Sequence, residues 1–200
     1  QYRTDRKAWN DRRGRVRRSP EGLEPMQLVM CDVHHVDVLV QRTDGTTATP
    51  KMIAWMDVAT HRLRVDLVLC EPGTGIRNAD LIDSFIDMTA DPGWGMPGGL
   101  YVDNGSEFRF ADFLADAMQL RGVRVHAQGE GGPVKRSTPY EGSSKGLLEG
   151  TFRTLQQACW APLQGFIGGD RMNSKAATLG QPQAPFPGGF EAFAAVVRNG

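Results

Sequence analysis

The feature that most constrains the fold is a set of three consecutive apolar runs, each rich in β-branched residues and separated by short polar breaks. The runs are MQLVMCDVHHVDVLVQR from residue 26, KMIAWMDVAT from residue 51 and HRLRVDLVLC from residue 61, with the turn TDGTTATP between the first two. β-Branched residues favour strands, and strands joined by short turns pair with their neighbours in antiparallel order. This part of the chain therefore predicts an antiparallel meander of three strands.

After these runs, the apolar residues change to a helical period and then alternate between helix and strand patterns. IRNADLIDSFIDMTAD predicts a helix whose apolar face is made by Ala79, Ile82, Phe85, Ile86 and Thr89. Four elements follow: the strand GLYVDNG, the helix SEFRFADFLADAMQLRG, the strand VRVHAQG and, after the Gly/Pro/Ser-rich loop GEGGPVKRSTPYEGSS, the helix SSKGLLEGTFRTLQQACWAPLQ. GGFEAFAAVVRN predicts a short last helix. The order βββαβαβα predicts an α/β fold, with a mixed five-stranded sheet and helices on both faces.

Charge does not by itself indicate a partner, because Lys plus Arg and Asp plus Glu both number 23. Basic residues concentrate in residues 3–18, a pattern typical both of an arm that lies along phosphates and of a solvated linker. We divide the chain into a basic N-terminal arm or linker (1–24), a core domain (25–165) and a C-terminal extension of the core with a short helix (166–200). We expect it to be part of a longer protein.

Cysteine usage and hydropathy indicate the compartment. The three cysteines form no CxxC pair, which argues against a zinc knuckle or a disulfide framework and suits a reducing cytosol. No apolar run approaches the ~18 residues that a membrane span needs. We therefore expect a cytoplasmic protein with no membrane partner.

Three acidic residues lie in settings that favour catalysis. Asp32 interrupts a strand of apolar neighbours, where a carboxylate needs a partner or a metal. Asp37 is the alternative, and on one continuous strand it points to the opposite face. Asp103 ends a short apolar strand, at the edge where α/β sheets place their sites. Glu149 lies in the last long helix.

Helical geometry places Glu149 at the border of the buried face of its helix. At about 100° per residue, the stripe around Glu149 also holds Lys145, Arg153, Gln156 and Trp160. The buried stripe consists of Leu148, Phe152, Leu155 and Cys159. A surface stripe of i,i+4 ion pairs has the same pattern, so the helix alone leaves both interpretations open. Three converging carboxylates, however, suit a pair of Mg²⁺ ions, which prefer oxygen ligands and activate an attacking oxygen.

These segments resemble the DDE transposase and retroviral integrase superfamily. DNGSEF around Asp103 looks like the second-acid motif, and KGLLEGTFRTLQ looks like the third-acid helix, with a basic residue four positions before the Glu. MIAWMDVATHRL looks like the second and third strands. The long interval from Asp103 to Glu149, the WMDVAT stretch and the segment IGGDRMNSK look more like phage Mu-type transposases than retroviral integrases. The order of elements also matches the ribonuclease H-like fold, in which three antiparallel strands precede two parallel ones.

The resemblance implies a DNA transposase catalytic core that nicks 3′ ends and then transfers strands. Its catalytic and metal-binding residues would be Asp32, Asp103 and Glu149. It implies two Mg²⁺ ions per active site when DNA is bound, with Mn²⁺ able to substitute. It also implies transposon-end and target DNA, a homo-oligomeric synaptic complex and an accessory ATPase as partners, and a bacterial or prophage origin.

Other residues are candidates for roles around these acids. The candidate DNA contacts are basic side chains in the Gly-rich loop and on the last long helix: Lys135, Arg136, Lys145 and Arg153; a solvated loop explains the first two equally well. Asn104 either orients Asp103, touches DNA or caps its turn. His34 shares the face of Asp32; it contacts the metal-bound phosphate or a ligand carboxylate, or it is an ordinary hydrogen-bonded histidine. Asp57 is expected in local turn hydrogen bonds, and packing roles are expected for Trp55, Trp94 and Trp160.

Two other functions fit the same fold. A ribonuclease H-fold nuclease shares the carboxylates but cleaves without joining strands. A domesticated DNA-binding or assembly module uses the fold without catalysis. Three convergent carboxylates argue against the second, because a scaffold does not need them.

Overall fold

The main feature of the computed structural model is a five-stranded sheet; residues 20–102, 134–136, 146–168 and 184–199 are described. These residues form seven strands: β1 (Val29–His35), β2 (Val40–Gln41), β3 (Thr47–Ala48), β4 (Lys51–Asp57), β5 (Leu63–Val68), β6 (Leu100–Val102) and β7 (Val134–Arg136). The described helices are α1 (Asn78–Ala90), α2 (Gly146–Leu155) and α3 (Gly189–Asn199), and a π-helical turn, Gln156–Trp160, continues α2. β2 and β3 pair with each other outside the main sheet.

The main sheet has the strand order β5-β4-β1-β6-β7 and is mixed. β4 pairs antiparallel with both β1 and β5, so the predicted meander is confirmed. β6 pairs parallel with β1, with Met30 beside Tyr101, and β7 pairs parallel with β6. This arrangement confirms the predicted mixed sheet and is compatible with a ribonuclease H-like fold.

Side chains alternate between two cores, one on each face of the sheet. Along β1, Val29 and Cys31 belong to the core on the α1 side, whereas Met30 belongs to the core that includes Leu148 of α2 and Phe193 of α3. Helices therefore cover both faces, as the sequence predicts. The face covered by α2 is the one that carries the candidate site.

The buried face of α1 differs from the predicted one. Its buried residues are Leu81, Ser84, Phe85 and Met88, whereas Ala79 and Ile86 of the predicted face are exposed. The cause is Ser84, whose hydroxyl accepts a hydrogen bond from Trp55 Nε1 (2.7 Å) and donates to Asp66 Oδ2 (2.6 Å). A satisfied hydroxyl can be buried at low cost, so the buried face is rotated toward Ser84, although Phe85 of the predicted face is buried and Ile82 packs against the core.

Two predicted strands are placed differently in the structure. The first apolar run breaks after His35, and its second part forms β2, which pairs with β3 inside the predicted turn. The fifth strand of the sheet is β7, in the segment predicted as a Gly-rich loop. The predicted strand VRVHAQG lies outside the described residues, as do the predicted helix SEFRFADFLADAMQLRG and most of the basic arm. The local composition of β7 does not indicate a strand. It becomes one because it pairs with β6 through backbone hydrogen bonds.

The short last helix is confirmed as α3. Its Phe193 is fully buried against the second core and meets Phe186 edge-on, with ring centroids 5.3 Å apart. Among the described residues, no helix has the length and apolarity that a membrane crossing requires.

Candidate active site on the α2 side of the sheet

Asp32 lies in the middle of β1, on the side of the sheet that α2 covers. Its neighbours Cys31 and Val33 pack toward α1, so alternation turns Asp32 the other way. Across the antiparallel pair it lies beside Ala54, which belongs to the α2-side core. Asp32 is half-buried, so its carboxylate can reach both the sheet and solvent.

Glu149 lies on the exposed side of the first turns of α2. Leu148 and Phe152 are buried in the core below the helix, whereas Glu149 and Arg153 are exposed, one turn apart. Glu149 is therefore exposed beside the buried stripe, which both interpretations of the helix allow, and its predicted border position stays a prediction. The predicted stripe is wrong further along, where Trp160 is buried and Cys159 is exposed.

The π-helical turn explains this reversal. The backbone N–H of Ala161 donates to Gln156 O (2.9 Å), an i→i+5 bond that widens the helix. Each residue of a wider turn advances by a smaller angle, so Trp160 rather than Cys159 returns to the side of Phe152. A fixed period of 3.6 residues cannot anticipate this shift.

The helical segment and β1 run in step. The Phe152 ring stacks on His34, with centroids 4.5 Å apart, and one turn later Gln156 Nε2 donates to Asp37 Oδ2 (2.8 Å). After the helix, Phe166 forms a β-bridge with Val38. These three contacts follow β1 and its continuation in the same order, whereas Trp160 turns back to His34. Glu149 precedes Phe152 by one helical turn, as Asp32 precedes His34 by two strand residues.

His34 lies between the aromatic side chains of the helix and the two candidate acids. Its ring stacks on Phe152 and, at a centroid distance of 6.3 Å, on Trp160. Burial lowers the pKa of His34, and the charges of Asp37 and Asp32 oppose that shift. The suggested contact of His34 with a phosphate or a ligand carboxylate stays a prediction.

The structure corrects the geometric reason for preferring Asp32 over Asp37. β1 ends at His35, so Asp37 is not on the same strand and does not simply point to the opposite face. Its side chain reaches the α2 side, where Gln156 donates to it. The choice between the two acids thus rests on the position of Asp32 within β1. The Asp37–Gln156 contact joins residues 119 positions apart, and no signal in the sequence indicates it.

Several predicted site residues lie outside the described part of the chain: Asp103, Asn104 and Lys145. Asp103 directly follows Val102, the last residue of β6. Lys135 and Arg136 lie in β7 and not in a loop, which corrects their predicted setting. Within the described residues, no three His, Cys, Asp or Glu side chains are grouped so that they could hold a metal ion. The described residues thus include Asp32 and Glu149, which lie on one side of the sheet. Asp103, the other predicted acid, is outside them.

The residues predicted to be structural have that role. Asp57 accepts hydrogen bonds from Thr60 Oγ1 (2.6 Å) and from the backbone N–H of Ala59 (3.2 Å), so its turn role is confirmed. Trp55, Trp94 and Trp160 are all buried, as expected for packing residues.

Comparisons with known proteins find similarity at the level of solved structures. No protein-family model matches the chain, and no curated protein sequence matches it. Among solved structures, a chain of the cryo-EM structure of a simian T-cell lymphotropic virus intasome in complex with the PP2A regulatory subunit B56 gamma is similar, with 21% identity and a TM-score of 0.48. The similarity covers 72% of this chain and 42% of that one, so this chain spans less than half of its length.

Proposed function

We propose that the chain is the catalytic core of a DDE-type DNA transposase of the phage Mu type, a polynucleotidyl transferase with a two-metal mechanism. Asp32, Asp103 and Glu149 are its proposed catalytic residues. The observation that carries the proposal is the parallel course of α2 and β1. Phe152 stacks on His34, and both acids precede this contact on the same side of the sheet: Glu149 lies three residues before Phe152, and Asp32 lies two residues before His34.

The pairing of β6 with β1 supports Asp103 as the second acid of the set. Met30 lies beside Tyr101, and Asp32 and Asp103 each follow two residues later along their chains. The sequence DNGSEF supplies the resemblance at this position. Because β1 and β6 are parallel, the order of residues along one is also the order along the other.

The donor set suits Mg²⁺, for which Mn²⁺ is expected to substitute. Asp32 and Glu149 offer only carboxylate oxygens, one half-buried and one exposed, and hard cations take oxygen ligands of this kind. Two ions held by Asp32, Asp103 and Glu149 would supply activation of the attacking oxygen and stabilisation of the leaving one. No nucleophilic side chain is needed, because water or a DNA 3′-hydroxyl forms the new P–O bond while the leaving 3′-oxygen departs in line.

The residues around the acids have proposed roles in holding DNA. Arg153 is exposed one turn after Glu149, where a guanidinium can neutralise a phosphate beside the scissile bond. Lys135, Arg136, Lys145 and Asn104 are proposed as further contacts. Backbone contacts of this kind position DNA without reading its sequence. Transposon-end and target DNA, a homo-oligomeric synaptic complex and an accessory ATPase are the proposed partners.

Strand joining is the activity that tests the proposal. The protein is incubated with duplexes that carry the ends of the element encoding it, pre-nicked to expose the 3′-hydroxyl, together with plasmid target and Mg²⁺ or Mn²⁺. Joined products are measured for the wild type and for Asp32→Asn, Asp103→Asn, Glu149→Gln and Asp37→Asn. We expect the first three to lose joining by at least about 10³-fold and Asp37→Asn to retain it.

Each alternative has its own result. Cleavage of DNA or of RNA–DNA hybrids without joined products would indicate a ribonuclease H-fold nuclease. DNA binding without any cleavage would indicate a non-catalytic module. Wild-type joining by Asp32→Asn together with loss in Asp37→Asn would reverse the assignment of the first acid.

A further inference from the structure

The chain beyond β1 and the end of the α2 segment are connected by one polar contact. Gln156 Nε2 donates to Asp37 Oδ2 at 2.8 Å, and both side chains are partly buried. Asp37 lies just beyond the strand that carries Asp32, and Gln156 lies seven residues, two helical turns, after Glu149. The contact therefore links the chain just after the strand that carries Asp32 to the helical segment that carries Glu149, without involving either of these two carboxylates.

Asp37 is held firmly from its backbone side. Its carbonyl oxygen accepts hydrogen bonds from the backbone N–H groups of Ile167 (2.8 Å) and Gly168 (3.4 Å). An added Cβ at Gly168 would lie 2.6 Å from the Phe166 ring and 2.7 Å from Gln156 Nε2, so the glycine leaves space for both side chains. The backbone of Asp37 is therefore held in place independently of the hydrogen bond that its side chain accepts from Gln156.

The π-helical turn adds an aromatic contact to this polar one. It returns Trp160 to the side of Phe152, and both rings stack on His34, two residues after Asp32. π-Helical turns often occur at functional sites because they shift side chains out of the regular register. Here the shift places a stacking ring on each side of Gln156 along the helix.

We propose that Gln156, Asp37 and His34 form a joint that fixes the position of α2 on β1 and thereby the position of Glu149 relative to Asp32. These three are positioning residues. The inference rests on the proposed function for its catalytic consequence, because a misplaced Glu149 weakens the hold on the metal ions. Loss of a residue that orients metal ligands typically costs about 10–100-fold in metal affinity or activity.

The first experiment measures the joint without any activity. Amide hydrogen exchange of residues 147–155 is compared in the wild type, Gln156→Ala and Gln157→Ala. Gln157 is the matched control, because it is the adjacent glutamine on the same turn and is exposed. We expect Gln156→Ala to speed exchange in α2 by about five-fold, the effect of one lost hydrogen bond, and Gln157→Ala to leave it unchanged. Equal exchange in both variants would overturn the joint.

The second experiment measures the Mg²⁺ concentration for half-maximal strand joining in the same proteins. We expect Gln156→Ala and Asp37→Ala each to raise it about 10–100-fold, while joining at saturating Mg²⁺ falls less. The double variant should be no worse than either single variant, because both remove the same contact. Asp37→Asn should stay close to wild type, since its amide oxygen still accepts from Gln156.

The results separate this inference from the proposed function. An unchanged Mg²⁺ requirement in Gln156→Ala, or loss of joining in Asp37→Asn as complete as in Asp32→Asn, would overturn the positioning role. If the wild type joins no DNA, the proposed function fails, and the exchange result still decides the joint. If Gln156→Ala does not fold, Asp37→Ala replaces it in the exchange experiment, since it removes the same hydrogen bond from the side of the acceptor.

Discussion

The buried hydroxyl of Ser84 makes two hydrogen bonds, and removing it gives a specific prediction for the stability of the protein. Ser84 is 5% exposed and joins α1 to two strands, through Trp55 of β4 and Asp66 of β5. Among the described residues, every fully buried side-chain nitrogen or oxygen has a hydrogen-bond partner. Ser84→Ala would leave the indole N–H of the fully buried Trp55 without one.

The expected cost follows from three contributions. An unsatisfied buried N–H costs about 1–3 kcal/mol. The bond to Asp66 contributes about 1 kcal/mol, below the usual value for a charged partner, because the Asp66 side chain is 29% exposed and also pairs with Arg64. Alanine gains about 0.5 kcal/mol of helix propensity. We therefore expect the free energy of unfolding to fall by about 1.5–3.5 kcal/mol.

Urea denaturation followed by circular dichroism measures this change. Thr89→Ala is the matched control, because it removes a hydroxyl from the same helix that bonds only to the nearby carbonyl of Ile86 (3.0 Å). We expect this control to stay within about 0.5 kcal/mol of wild type. Trp55→Phe combined with Ser84→Ala should cost less than the sum of the two single variants, because both partners are removed. A Ser84→Ala variant as stable as Thr89→Ala would refute the reasoning.

Three further predictions concern a helix cap, a close backbone approach and a DNA contact. A hydrogen bond from the Arg77 side chain holds the pKa of Asp80 below its ordinary value, so the stabilisation is present above about pH 4 and is lost as pH falls through the lowered pKa. Asp80→Asn should therefore unfold about 0.5–1 kcal/mol more easily than wild type at pH 7. The two urea curves should converge as the pH falls through the lowered pKa of Asp80, and a constant difference would contradict this. Gly165 has φ +91°, and an added Cβ would lie 2.6 Å from the carbonyl oxygen of Leu39. Gly165→Ala should therefore lower the free energy of unfolding by about 3 kcal/mol in urea denaturation. A loss below about 1 kcal/mol would argue against this close backbone contact. Arg153→Ala should reduce the slope of log affinity for DNA against log salt by about 0.9, whereas Arg198→Ala on α3 should not; equal slopes would remove Arg153 from the interface.

Strand patterns predicted most of the sheet, because alternation and β-branched composition are local properties of a half-buried strand. The meander of β1, β4 and β5 and the short strand β6 follow from them. β7 could not be predicted in this way, since its three residues lie among Gly and Pro, and only the edge of β6 makes them a strand. Packing on a partner overrides local composition here.

The sequence indicates two of the candidate acids but none of the contacts that support them, and the catalytic role of the acids stays a prediction. Asp32 and Glu149 were indicated by their settings, and the structure brings them to one side of the sheet. The Gln156–Asp37 bond was not predicted, because a contact across 119 positions leaves no local pattern. The burial of Trp160 instead of Cys159 differs from the prediction for another reason. A π-helical turn is set by packing, whereas the prediction assumed a uniform helical period.

The location of Mn²⁺ in crystals of the protein with a transposon-end duplex is the most direct test of the proposed site. Anomalous diffraction identifies each ion by position, without depending on activity. We predict two peaks about 3.5–4 Å apart, with carboxylate oxygens of Asp32 and Asp103 as ligands and Glu149 at one of the two ions. A peak held by Asp37 in place of Asp32, or ions that lie beyond the reach of Glu149, would contradict the assignment.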